Sequence, residues 1–288
     1  MSISELMVDA IDMHVHGAIE PIEGERRIDL ITLARQAKDA GMKAVVIKSQ
    51  RFGTGTLTLE VNQFVKSPIL LGSLCLNRDV GGLNRDVVEA QARAGAKVIW
   101  LPTISAAAHI RKRSKGKTGV GKGLDKGISI IDTDGMLVPE MIEILEVMAR
   151  YNLVLATGHV SKKEVFVVTG EALRRHINVV ITHPLVGLVE PLLTLDEAKE
   201  LAAMGAYIEC IFAHCMPPML ISPENYAGYI KTIGPEHCIF ATDFGQVFNP
   251  PATEGFHMML AIMLMFGLSE DELRVMVKVN PARLLGLS

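Results

Sequence analysis

The chain has 288 residues, 49% hydrophobic and 21% charged, enough apolar material for a large core and consistent with either two domains or one α/β barrel. A formal net charge of -3 argues against a protein that grips nucleic acid through a broad basic surface. Cys75, Cys210, Cys215 and Cys238 show no C-x-x-C spacing, and no basic head followed by an apolar block opens the chain, so reduced, mostly buried thiols in a cytoplasmic protein are expected.

The first predicted element is the alternating run Val8 to Gly17. Read as a β-strand, it puts Asp12, His14 and His16 on one face and Ile11, Met13 and Val15 on the other. Gly17 then releases the chain, which leaves both histidines at the strand's carboxyl end, where α/β folds gather ligands. By itself a His-x-His reads as a metal clamp or as two half-buried strand histidines.

Helical spacing follows at Ile28, Ile31, Ala34 and Ala37, with Gly41 at the C-cap position, and then the β-branched run Met42 to Lys48. The same helix, glycine, strand junction returns before Ala96 to Trp100 and before Ala206 to Glu209. Further apolar runs at Ile69 to Leu76, Leu153 to Thr157, Val179 to Thr182 and Cys238 to Thr242 bring the count to eight predicted strands. Helix starts are marked by Ser161 with Glu164, Thr194 with Glu197, Ser269 with Glu272, and Ser222 followed by Pro223. Eight strands alternating with helices predict a parallel (β/α)8 TIM barrel in one domain spanning residues 1–288. A doubly wound sheet would more often carry a glycine-rich fingerprint after the first strand, where this chain has the histidine pair.

The stretch 104–134, after the fourth strand, has no sustained period and carries a basic run at Arg111 to Lys117 followed by four glycines. It is expected to be a mobile loop at the carboxyl-end rim, covering an anionic substrate. Gly116 to Gly123 approaches a phosphate-binding loop, but Gly123 takes the place of the required hydroxyl residue. The methionine-rich Phe256 to Leu268 is too short to span a bilayer and reads as a core helix or the interface of a homo-oligomer.

Three further polar residues stand at predicted strand ends: His159, His183 and Asp243. In a barrel those ends meet on one rim, so His14, His16, His159 and Asp243 would supply nitrogen and oxygen ligands suited to Zn²⁺, with Mn²⁺ or Fe²⁺ acceptable.

With His-x-His on the first strand, histidines ending the fifth and sixth, aspartate ending the eighth, and the closing Asn280 to Leu287, the whole chain resembles the amidohydrolase superfamily of metal-dependent hydrolases. The resemblance implies His14, His16, His159 and Asp243 at the metal, and His183 as a second-metal ligand or substrate-polarising group. It also implies Asp243 as the proton shuttle for a metal-activated water that cleaves an amide, lactone or similar bond of a small anionic substrate. The bridging lysine or glutamate common at the fourth strand of two-metal members is absent from Val98 to Thr103, so one ion is favoured over two. Lys48 and Glu209 are the available substitutes; Lys48 is preferred as an anion-binding residue with Arg51 and Arg78, and Glu209 as a partner that orients a histidine or as a further ligand. Rival readings are a TatD-type phosphoesterase or nuclease, a polymerase-and-histidinol-phosphatase-type enzyme, a metal-dependent decarboxylase, and a noncatalytic metal-binding barrel.

Overall fold

β1 (Ile11–Val15), β2 (Ala44–Ile47), β3 (Leu70–Cys75), β4 (Ala96–Trp100), β5 (Val154–Ala156), β6 (Val179–Ile181) and β8 (Cys238–Ala241) each fall inside a predicted apolar run, and β7 (Tyr207–Ile211) runs two residues past the predicted end at Glu209. The computed structural model describes residues 3–17, 24–67, 69–114, 127–187 and 189–287. All neighbouring pairs are parallel and the strand order follows the chain. Closure comes where β1 meets the end of β8: the Asp243 N–H donates to His14 O at 2.9 Å, and the His16 N–H donates to Phe244 O at 2.7 Å. The fold is therefore the (β/α)8 barrel the sequence predicts.

Side chains alternate across the barrel wall. Val46, Val98, Trp100, Val154, Ala156, Val180 and Ile239 form the inner cluster, while Val45, Ile99, Leu155, Ile181 and Phe240 join the larger core beneath the helices. Strands buried on both faces read as continuous apolar runs, which is why they were legible. The helices are α1 (Ile3–Met7), α2 (Leu30–Asp39), α3 (Gly55–Val65), α4 (Arg85–Arg93), α5 (Ala107–Ser114), α6 (Pro139–Arg150), α7 (Lys162–Arg174), α8 (Leu195–Met204), α9 (Pro223–Ile233), α10 (Ala252–Met265), α11 (Glu270–Arg274) and α12 (Asn280–Leu285). Capping boxes open α7, α8 and α11, and Ser222 caps α9, all at the predicted positions.

The carboxyl-terminal segment plugs the amino-terminal end of the barrel. Leu284 and Leu285 pack into the inner cluster, and the Asn280 side-chain amide donates to Cys238 O at 2.7 Å, at the start of β8. The opposite end is thereby left as the open one. All four cysteines are free and buried. In α10, Phe256, Met259 and Met263 are core residues, whereas Met258 and Met265 are exposed. Among the described residues no helix is long and apolar enough to cross a membrane.

Two departures from simple periodicity matter for the site. First, β1 and β2 pair Asp12 with Val45 but Val15 with Ile47, so β1 carries one extra residue. The predicted alternation breaks there: Ile11 and Met13 pack inside the barrel, Val15 packs outside, and Asp12 turns to β8, accepting from Thr242 N at 3.1 Å and Thr242 Oγ1 at 2.6 Å. Burial lifts the Asp12 carboxyl to about 7 against the pull of those hydrogen bonds. Second, the aperiodic stretch 104–134 contains α5, and Ala106 bridges Ile128 in parallel fashion. Residues 115–126, with most of the expected glycine-rich loop, lie outside the described residues.

Candidate metal centre

His14 and His16 stand at the carboxyl end of β1, and three donor atoms meet there. His14 Nε2 and His16 Nε2 each lie 3.1 Å from Asp243 Oδ1. Asp243 reaches this point because the chain turns sharply after β8: its φ is +55°, a left-handed conformation that aspartate tolerates better than most residues. Gly245, two residues on, is needed because a Cβ there would stand 1.8 Å from His16 O. His183, after β6, also has positive φ, at +27°.

Glu209 is fully buried on β7 and fixes two of these groups. Its Oε1 lies 3.0 Å from His14 Nδ1, and its Oε2 accepts the His183 N–H at 3.1 Å. Lys48, equally buried, places Nζ 2.9 Å from His14 Nε2 and 4.4 Å from the centre of the Trp100 ring. Trp100 itself packs 4.5 Å from the His14 ring. An ammonium held against an indole face and an imidazole nitrogen is a fixed cation inside a water-poor site.

The mouth of the barrel encloses a cavity of about 300 Å³ lined by His16, Lys48, His159, His183 and Asp243, together with Arg26, Gln50 and Gln246. His159 and His183 have ring centres 5.3 Å apart, and His214, on the turn after β7, meets His183 edge-on at 5.7 Å. Among the described residues His16 Nδ1, His183 Nδ1, His214 Nδ1 and Trp100 Nε1 are buried without a hydrogen-bond partner. Such groups cost free energy unless something polar meets them, so this end of the barrel is built for a polar occupant. A larger groove of about 780 Å³, lined by residues of α1, α2 and α10, shares none of these residues.

The charges are matched to a cation. Burial pushes His16 down to about 4 and His159 and His183 well below the usual imidazole range, leaving neutral rings with lone pairs. Burial also acts against charge on His14 and Asp243, but it is outweighed: the Asp243 and Glu209 carboxylates hold His14 above its ordinary range, and His14 with His16 holds Asp243 well below the usual carboxylate range. Two carboxylates facing one buried imidazole give the site negative potential to offer a metal ion.

The structure thus brings together His14, His16, His159, His183, Glu209, Asp243 and Lys48. It does not bring Arg51 or Arg78 into the cavity. Arg51 pairs with Asp79 at 2.8 Å, and Arg78 lines a separate depression with Gly81, Ile128 and Glu140. In their place stands Arg26, from the segment after β1, whose neighbour Arg27 donates its N–H to Gly245 O at 2.8 Å. Gln50 is held there by Asn77 and Thr103. His109, on α5, faces His159. Sequence reasoning missed Arg26, His109 and His214 because none ends a predicted strand.

Residues 9–209 match a family of unknown function, DUF6282. The chain belongs to this family. The matched span contains His14, His16, Lys48, His109, His159, His183 and Glu209, while Asp243 lies beyond it. No curated protein matches the sequence. Among solved structures, an amidohydrolase from Pseudomonas aeruginosa is 15% identical, with a TM-score of 0.60 over 99% of this chain and 98% of that one. A probable 2-pyrone-4,6-dicarboxylic acid hydrolase from Acinetobacter baumannii is 12% identical, with a TM-score of 0.61 over 97% and 100%. A TatD homologue from Escherichia coli is 16% identical, with a TM-score of 0.58 over 98% and 100%. At such identities the likeness is one of fold, the barrel that these proteins share with this chain.

Proposed function

We propose that this DUF6282 protein is a metal-dependent hydrolase that holds one divalent ion between His14, His16 and Asp243 and cleaves an amide, lactone or similar bond of a small anionic substrate. The observation that carries the reading is the 3.1 Å spacing of both Nε2 atoms from Asp243 Oδ1. Metal–ligand bonds of about 2.0–2.2 Å set neighbouring donors on one ion roughly 3–3.5 Å apart, so these atoms already stand at coordination spacing. Two imidazoles and a carboxylate suit Zn²⁺, with Mn²⁺ and Fe²⁺ acceptable, and His159 offers a further nitrogen. When bound, such an ion supplies Lewis acidity that brings a water's pKa from about 15.7 toward about 7.

The chain's own groups do the rest. Asp243, kept ionised by two histidines, takes a proton from the attacking water and returns it to the leaving group. His183 polarises the substrate's reacting oxygen from the facing wall of the cavity. Lys48 and Arg26 bind the substrate's anionic group, and Gln50 and Gln246 fix its orientation. A single ion is favoured on two grounds: Trp100 fills the end of β4, and both oxygens of Glu209 are committed to His14 and His183.

The test is transition-metal content per chain, by mass spectrometry, on untagged protein purified without chelator, followed by a screen of small carboxylate-bearing amides and lactones. One equivalent, lost in a His14→Ala His16→Ala variant, and turnover abolished by Asp243→Asn are expected. Absence of bound metal after reconstitution with Zn²⁺, Mn²⁺ and Fe²⁺ would overturn the reading.

A further inference from the structure

Behind the cavity wall formed by His159 stands a second histidine, His109, that has no part in the proposed mechanism. His109 and His159 meet Nδ1 to Nδ1 at 3.0 Å, with rings 11° from parallel and centres 5.0 Å apart. Nearly parallel rings with centres 5.0 Å apart and nitrogens 3.0 Å apart meet at their edges, the arrangement of an N–H···N hydrogen bond and not of a face-to-face stack. The bond needs one donor and one acceptor. A neutral imidazole has one of each, so the two rings are opposite tautomers.

We propose that His109 is a positioning residue that accepts a hydrogen bond from His159 Nδ1–H and thereby keeps His159 Nε2 unprotonated for the cavity. This rests on the reading of His159 as a nitrogen donor to the metal centre, because only the Nδ1–H tautomer leaves Nε2 a lone pair to give. His159 Nδ1 is engaged by His109 and the same ring lines the cavity, so Nε2 is the atom left for a ligand there. Glu209 stands in the same relation to His14, whose Nδ1 it meets at 3.0 Å. Two strand-end histidines are thus each held through Nδ1, one by a carboxylate and one by an imidazole. The imidazole acceptor adds no negative charge and so favours correct orientation without further raising the proton affinity of His159.

His109 is anchored well enough for this role. The Ala107 N–H donates to Ile128 O at 2.8 Å, and a Cβ on Gly127 would stand 2.4 Å from Ala107 Cα, so the returning chain presses directly on the start of α5. Further along α5, Lys112 Nζ donates to Val189 O at 2.9 Å, tying the helix to the loop after β6. The insertion after β4 is therefore joined to the cavity wall at His159.

The experiment is long-range ¹H–¹⁵N correlation on the full chain labelled with ¹⁵N-histidine, with and without Zn²⁺, alongside Zn²⁺ affinity by chelator competition. The wild type is expected to show His159 as a single Nδ1–H tautomer. His109→Ala should mix the tautomers and weaken Zn²⁺ binding about 10–100-fold, as loss of a partner to a ligating histidine does. His109→Gln, whose carbonyl oxygen can accept the same hydrogen bond, should recover both. An Nε2–H tautomer at His159 in the wild type overturns the proposal without needing any variant, and so does an unchanged tautomer in His109→Ala. If the wild type binds no metal, the hydrolase reading fails separately, while the tautomer spectrum still decides the role of His109.

Discussion

Glu209 Oε1 lies 3.0 Å from His14 Nδ1 while the other oxygen of the same carboxylate accepts the His183 N–H at 3.1 Å. One buried acid therefore sets the tautomer of one rim histidine and the backbone position of another. In Glu209→Gln the amide has one acceptor and one donor end. If the acceptor serves His183, the amide N–H₂ faces His14 Nδ1 and drives the proton to Nε2, the atom turned toward Asp243. Zn²⁺ affinity is expected to fall about 10–100-fold with little change in thermal stability. Competition against a chromophoric chelator measures it, and equal affinities would remove Glu209 from the metal centre.

Lys48 predicts the opposite sign. Its Nζ lies 2.9 Å from His14 Nε2 and sets a like charge beside any cation held there. An ammonium 2.9 Å from Nε2 and an ion on that atom exclude each other, so a bound metal would free Lys48 for a substrate anion. Lys48→Met should tighten Zn²⁺ binding by at least about tenfold, since unit charges ~4 Å apart repel by about 4 kcal/mol at an effective dielectric near 20 and the flexible side chain relieves part of that by swinging away. It should also raise KM for anionic substrates. Weaker metal binding in this variant would mean that Lys48 supports the ion instead of competing with it.

Barrel closure is concentrated at Asp12. Its carboxylate accepts from Thr242 N and Thr242 Oγ1, and from His14 N at 3.2 Å, so Asp12→Ala leaves three buried donors without an acceptor at the β1–β8 seam. Each such donor costs about 1–3 kcal/mol, so a loss of at least about 3 kcal/mol is expected in urea unfolding. Asp12→Asn keeps one acceptor and should lose less. A loss below about 1 kcal/mol in Asp12→Ala would show that water or a neighbouring group satisfies the seam.

How much of this was legible depends on what held each residue in place. The eight strands were readable because strands buried on both faces are continuous apolar runs. The rim positions of His159, His183 and Asp243 were readable because they come within two residues of the end of such runs, and those of His14 and His16 because they close the first one. The bulge in β1 was not, since an unpaired residue leaves no mark on apolar spacing, and it moved Asp12 out of the face that strict alternation assigns to it with the histidines. His109 was hidden because α5 is only two turns long, with Ala107, Ala108 and His109 buried and a basic last turn that reads as loop. Arg51 and Arg78 were expected from charge alone, but charge does not fix direction. Asp79 holds Arg51, and the turn Arg78–Val80 carries Arg78 to another depression.

Two glycines give contrasting tests of how tightly the rim is built. Gly228 is exposed in the middle of α9, and a Cβ there would meet nothing within 4 Å. Gly228→Ala should therefore stabilise the protein by about 0.5–1 kcal/mol, the helix-propensity difference. Gly245 has φ +146°, and its Cβ would stand 1.8 Å from His16 O and 2.6 Å from His16 C. Gly245→Ala must push the β1 end away from β8, lengthening the His16 N–H to Phe244 O bond and separating His16 Nε2 from Asp243. A loss of several kcal/mol together with Zn²⁺ binding is expected, read by urea unfolding and chelator competition on both variants in parallel. A Gly245→Ala protein that loses stability but keeps wild-type Zn²⁺ affinity would show that the metal centre does not depend on closure at this point.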